Sequence, residues 1–155
     1  MLRRTAVRLV AAVVVFVATV VAGSGQAWAD SYGPLRYLRN HATNWCLATD
    51  WSQGVYSWGG CNGPQRWQFG FLDAYPGTAL LKNEATGRCL KQVDFTTVLS
   101  APCDGSVVEF RWVAYDGFIW SVNTGGHLVT DWSGKVSLHN DTNTLPANQW
   151  WYWTG

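Results

Sequence analysis

The sequence predicts an all-β domain built from three copies of one short-strand unit and closed on itself. Three observations carry that expectation: a ten-residue segment that recurs along the chain, cysteines at matching offsets within it, and short β-prone runs divided by turn residues. The 155 residues are 48% hydrophobic, 15% aromatic and 14% charged, with 11 Trp and 16 Gly. So few charges beside so many Trp exclude a disordered tail and a coiled coil, which need charge and few aromatics. A net charge of +1 gives no electrostatic case for nucleic acid. Recognition must come from rings and hydrogen bonds.

The first element is a leader. Arg3, Arg4 and Arg8 make a basic start, residues 9–22 are apolar apart from Thr19, and Ala27-Trp28-Ala29 supplies the small-x-small pattern of a signal peptidase site. The apolar run of 14 residues is shorter than the about 20 a membrane helix needs. The expectation is a signal peptide over residues 1–29, a secreted, extracellular domain over residues 30–155, and no membrane span. The leader holds three of the 11 basic residues and no acidic one, so the remaining chain is mildly acidic.

The repeat comes next. From Cys46 the chain reads CLATDWSQGV, and from His127 it reads HLVTDWSGKV, with six positions in agreement. Cys89-Leu90 opens a third copy, and Val98 stands at the offset of Val55 and Val136. A lead-in accompanies each opening: Asn40 before Thr43, Asn83 before Thr86, and Asn123 before Thr124. Gln65-Arg66-Trp67 closes the first copy and Gln149-Trp150-Trp151 the third, while the second keeps the Trp in Phe110-Arg111-Trp112. The copies cover about residues 35–73, 78–115 and 117–155.

The cysteines follow the repeat. Cys46 precedes Cys61 by 15 residues and Cys89 precedes Cys103 by 14, whereas the third copy has His127 and Thr142 at both places. Joint loss implies bonds within each copy, Cys46–Cys61 and Cys89–Cys103, one of three possible connectivities. Closing such a loop is worth about 3 kcal/mol. No Cys-x-x-Cys pair suggests zinc, and no metal or cofactor is expected.

Short β-branched or aromatic runs at 35–39, 54–58, 80–83, 97–101, 118–123 and 135–139 read as strands, and no stretch has ten residues of helical periodicity. Four strands per copy give twelve, and threefold repetition favours a closed, trefoil-like barrel because closure removes exposed edges.

The Gln-x-Trp pairs (Gln65/Trp67, Gln149/Trp151, degenerate at Phe110/Trp112), the Cys-Leu openings and the threefold spacing resemble the ricin-type β-trefoil lectins over essentially the whole of residues 30–155. Val55-Tyr56 and Cys61-Asn62-Gly63 are similar to the actinohivin-like, mannose-binding branch. The resemblance implies a β-trefoil of three pseudo-symmetric repeats, with Trp67, Trp112 and Trp151 in the core and Gln65 and Gln149 bonded to nearby backbone. It also implies one sugar site per copy, made of an acidic residue two places after the opening Cys, an aromatic platform, and polar residues before Gln-x-Trp. Ala48, Lys91 and Val129 stand at the acidic position, so that carboxylate is missing from all three copies. The remaining candidates are Asp50, Trp51, Tyr56, Trp58 and Asn62 in copy one, and Asp131, Trp132, His139 and Asn148 in copy three. Trp58 and His139 fall at the platform position. Copy two has Leu99, Ser100 and Ala101 there and reads as lacking a site.

The chemistry suits sugars independently. A pyranose has an apolar CH face that stacks on a flat ring and hydroxyls that a carboxylate accepts. Equally, each Asp can close its own turn while the neighbouring Trp lids the barrel. His41, His127 and His139 show no metal or triad spacing, and His127, at a lost Cys position, reads as packing. Glu84, Glu109 and Asp73 are the carboxylates available for glycoside hydrolysis, but nothing gathers them, and no enzymatic motif is present. Asn140-Asp141-Thr142 is an N-glycosylation pattern. The expected function is a non-enzymatic carbohydrate-binding module, weak per site and strengthened by avidity, for mannose- or galactose-type glycans or polysaccharide. The alternative is a protein-binding adaptor of a secreted complex.

Overall fold

The computed structural model describes residues 28–140 and 147–155, so most of the expected signal segment, and Asp141-Thr142, lie outside the described residues. Thirteen strands form there. A two-residue lead-in, β1 (Ser31–Tyr32), precedes four strands in each copy. Copy one holds β2 (Arg36–Asn40), β3 (Cys46–Thr49), β4 (Val55–Trp58) and β5 (Arg66–Phe71). Copy two holds β6 (Ala79–Asn83), β7 (Cys89–Gln92), β8 (Val98–Ala101) and β9 (Trp112–Tyr115). Copy three holds β10 (Phe118–Ser121), β11 (His127–Thr130), β12 (Val136–His139) and β13 (Trp151–Thr154).

The first and fourth strands of the copies build the barrel. β13 pairs with β2, β2 with β5, β5 with β6, β6 with β9, and β9 with β10, all antiparallel. The Trp151 N–H donates to the Gly117 carbonyl at 2.7 Å and closes the ring beside β10. The second and third strands make three hairpins, β3–β4, β7–β8 and β11–β12. The expected β-trefoil is what the chain forms.

Its interior is laid out in triplets because equivalent positions of the three copies meet near one axis. Leu47, Leu90 and Leu128 are fully buried together with Trp67, Trp112 and Trp151. Each of these indoles donates its N–H to the leucine carbonyl of its own copy: Trp67 to Leu47 at 2.8 Å, Trp112 to Leu90 at 3.0 Å, Trp151 to Leu128 at 2.8 Å. A buried indole needs such a partner. The Trp residues shared by the closing motifs are therefore core residues that tie the fourth strand to the hairpin.

The hairpins interlock in a cycle. Ser57 N–H donates to Gly134 O at 2.8 Å, Ser100 N–H to Gln53 O at 3.0 Å, and Leu138 N–H to Thr96 O at 2.9 Å. Each turn thus docks on the hairpin of the next copy, with copy three docking back on copy one. The buried hydroxyls of Ser57 and Thr130, 2.6 Å apart, reinforce that last joint.

Both disulfides form as the repeat implies, Cys46–Cys61 and Cys89–Cys103, and no described cysteine is free. No described helix is long and apolar enough to cross a membrane. One lead-in assignment changes. Asn40 lies opposite Trp151 and Asn83 opposite Trp67, and the residue at that place in copy three, opposite Trp112, is Ser121 rather than Asn123. Asn40 and Asn83 receive backbone N–H groups of Thr43 and Thr86 on their Oδ1 atoms, whereas Ser121 uses its hydroxyl on Gln92 of the neighbouring copy and accepts from Asn123 N–H. The threonines keep one role: Thr43, Thr86 and Thr124 each accept the N–H two residues on at 3.3 Å.

Replacing Trp112 with Phe removes an indole donor and leaves Leu90 O unpaired beside a void. The expected cost is about 2–4 kcal/mol, read as a lower urea midpoint at unchanged m-value. A loss below roughly 0.5 kcal/mol would show that the indole bond does not hold strand to hairpin.

Candidate functional site

The two Asp-Trp turns are built alike. Asp50 Oδ1 accepts the Ser52 hydroxyl at 2.6 Å and the Gly54 N–H at 3.1 Å. Asp131 Oδ1 accepts the Ser133 N–H at 2.8 Å, the Ser133 hydroxyl at 2.5 Å and the Lys135 N–H at 3.1 Å. A short side chain that caps its own turn in this way favours Asp over longer acids. The serine hydroxyl first, and then the backbone N–H groups, hold both carboxyls below the usual carboxylate range. Copy two achieves the same with Asp94, which accepts Thr96 and Thr97 N–H groups at 2.8 Å. The aspartates therefore close turns, but their tryptophans do not lid the barrel: Trp51 and Trp132 are 72% and 70% exposed.

Register sets the face of each hairpin. In copy one Cys46 lies opposite Trp58 and Ala48 opposite Tyr56, so Trp58 and Tyr56 share the face that Leu47 and Ser57 turn away from. Ala48, at the expected acidic position, is buried beneath them. The chain then passes through a 3-10 turn, Gly63–Gln65. The Gln65 side chain donates to Trp58 O at 3.2 Å and receives Asn62 N–H at 2.6 Å, which fixes the loop against the strand end. The result is a cleft of about 560 Å³ lined by Ala48, Tyr56, Trp58 and Asn62 on the copy-one side. Its other side comes from copy three, where Ser133 and Gly134 are held by the interlocking bond to Ser57. Trp45 supports that wall, with its ring edge-on to Trp132 at 6.2 Å. Trp58 is 61% exposed, and among the described residues the Tyr56 hydroxyl has no hydrogen-bond partner. No lining residue carries a formal charge at neutral pH.

Copy two has no comparable platform. Ala101 lies opposite Cys89, and the Lys91 ammonium sits 5.3 Å from the Phe110 ring. Phe110 occupies the place of Gln65 and belongs to a second core cluster with Leu72, Leu80, Cys89 and Cys103.

In copy three the corresponding face carries His127 directly opposite His139. The His127 ring lies between Trp120, stacked at 5.8 Å, and Phe118, edge-on at 5.5 Å. Burial lowers the pKa of His127 below the usual imidazole value and His139 lowers it further, while the neighbouring Gln149 amide opposes the shift. Gln149 is fully buried but repeats neither bond of Gln65, and its amide N and O both lack a partner in proper geometry.

Of the residues expected to bind a ligand, Tyr56, Trp58 and Asn62 therefore meet in one cleft. Asp50 and Trp51 do not line it, since their turn docks on copy two through Gln53 O. Asp131 and Trp132 reach copy one through their turn, His139 stands apart opposite His127, and the Asn148 carbonyl accepts from the Asn40 amide at 2.8 Å. Ser133, Gly134 and Trp45 were missed by sequence reasoning. Gly134 had a local signal, a glycine in an otherwise matching turn: its φ is +86°, and a Cβ there would lie 2.8 Å from Ser57 O.

Gly134→Ala should therefore loosen the wall at a cost of about 1 kcal/mol or more, measured by urea denaturation. The turn aspartates fix a pH dependence. Their folded values lie below the unfolded carboxylate value, so their contribution is complete above about pH 4 and is lost as pH falls through the folded value. Asp131→Asn should flatten that part of the stability–pH curve; an unchanged curve would mean the turn bonds do not matter in solution.

No protein-family model and no curated protein matches this chain. Two solved structures share its fold at low identity. The designed three-fold symmetric protein ThreeFoil superposes with a TM-score of 0.63 at 16% identity, over 78% of this chain and 98% of that one. SeviL, solved bound to the asialo-GM1 saccharide, superposes with a TM-score of 0.63 at 14% identity, over 77% of this chain and 95% of that one.

Proposed function

We propose that this protein is a secreted, non-enzymatic, lectin-like module that binds a neutral glycan in the cleft between copy one and the copy-three turn. The observation that carries the reading is the composition of that cleft. An exposed indole at Trp58, the unpartnered Tyr56 hydroxyl and the Asn62 amide stand around an uncharged hollow of about 560 Å³. Stacking of a sugar CH face on the ring and hydrogen bonds from the polar rim need nothing more. Resemblance of the Gln-x-Trp repeats to ricin-type lectins, and the saccharide held by SeviL, support the same class of ligand. With Ala48 in place of a carboxylate, affinity rests on the ring and on neutral donors. A single site of this kind binds at about millimolar, roughly −4 kcal/mol. Repeated glycans meeting several copies of the chain then supply useful strength by avidity.

Titration with mannosides, galactosides and their oligomers should quench tryptophan fluorescence, and Trp58→Ala should weaken binding about tenfold or more. Asp131→Ala, which frees the wall, should weaken it too, and Asp50→Ala should change it far less. A silent glycan array together with one stoichiometric protein recovered from culture medium would instead establish the adaptor reading, which the exposed Trp51 and Trp132 rings favour. Secretion has its own readout: N-terminal sequencing of the exported protein should begin at Asp30, and retention of the leader would refute the cleavage.

A further inference from the structure

Copy three departs from the other two copies in a specific way. Where copy one sets Cys46 against Trp58 and copy two Cys89 against Ala101, copy three sets one imidazole against another, His127 against His139. Residues directly opposed on an antiparallel pair project to the same face with Cβ atoms about 5 Å apart, close enough for both rings to reach one point. Both rings also carry a buried nitrogen without a partner, Nδ1 of His127 and Nε2 of His139. Both amide atoms of Gln149, whose side chain neighbours His127, are buried and lack a partner in proper geometry. Four of the seven such atoms among the described residues thus belong to His127, His139 and Gln149, the other three being Asn148 Oδ1, Ser100 Oγ and Arg111 Nε. Buried polar atoms left without protein partners mark the place of an ion or a water.

We propose that His127 and His139 bind a transition-metal dication of the zinc, copper or nickel class, with the amide oxygen of Gln149 completing the protein's ligands. Neutral imidazoles with free lone pairs are the preferred nitrogen donors for these ions. The ring of His127 is held in place by Phe118 and Trp120, which fixes the direction of its nitrogens. No third His, Cys, Asp or Glu joins the pair among the described residues, so the ion keeps positions open to water or an outside ligand. The site is separate from the copy-one cleft and does not rest on glycan binding.

Calorimetric titration of the purified chain with zinc chloride should show one ion per chain, and binding should weaken as pH falls through the imidazole range, because protons compete for the nitrogens. With Cu2+, electron paramagnetic resonance should show hyperfine coupling to two nitrogens, falling to one in His139→Ala, and His139→Ala should weaken zinc binding at least tenfold. Glu84→Ala, whose carboxylate pairs with Arg66 in copy one, should leave it unchanged. His127 is packed between rings, so if His127→Ala does not fold, the half-buried His139 on β12 carries the test alone. Absence of a bound ion (an ordered water only), or binding that persists in His139→Ala, would overturn the proposal.

Discussion

Each hairpin turn of this protein hands one backbone carbonyl to the hairpin of the next copy, and that cyclic handover is the constraint on which the rest depends. Gln53, Thr96 and Gly134 give the carbonyls, and Ser100, Leu138 and Ser57 receive them. Buried backbone groups must be paired, so three turns with one bond each lock three hairpins into a fixed mutual rotation. The triplet core beneath, with its three indoles donating to three leucine carbonyls, then has one way to pack. The turn aspartates matter for the same reason. A carboxylate spent on its own turn keeps the carbonyl aimed at the neighbour.

Most of this architecture was legible in the sequence because triplication repeats every local decision. The paired loss of cysteines in copy three identified the bonds within copies one and two. The resemblance of the closing motifs placed their shared Trp residues in the core, where the structure has them. The site was legible in part. Tyr56, Trp58 and Asn62 lie close in sequence and on one face, so alternation and a short loop suffice to bring them together. Ser133, Gly134 and Trp45 were hidden because their place depends on docking between copies, which no spacing within a copy encodes. The place of each Asp-Trp pair was hidden for the same reason: its turn docks on the following copy. Asn123 misled because it matches the lead-in by residue type, whereas register puts Ser121 there.

The copies have diverged on their outer faces while keeping their inner ones. Copy one keeps an open aromatic platform, copy two has closed its face with Lys91 against Phe110, and copy three has exchanged a disulfide position for an imidazole facing another. Such changes are tolerated because the inner triplets carry the packing. A face freed from structural duty can change its chemistry at little cost in stability.

The composite cleft has a temporal consequence. The hydroxyls of Ser57 and Thr130 that meet beneath its seam are 73 residues apart, and the wall residues Ser133 and Gly134 come later still. A nascent chain emerging from the ribosome possesses Trp58 and Tyr56 long before it possesses the surface facing them. The cleft is therefore completed last, when the final third of the polypeptide docks on the first.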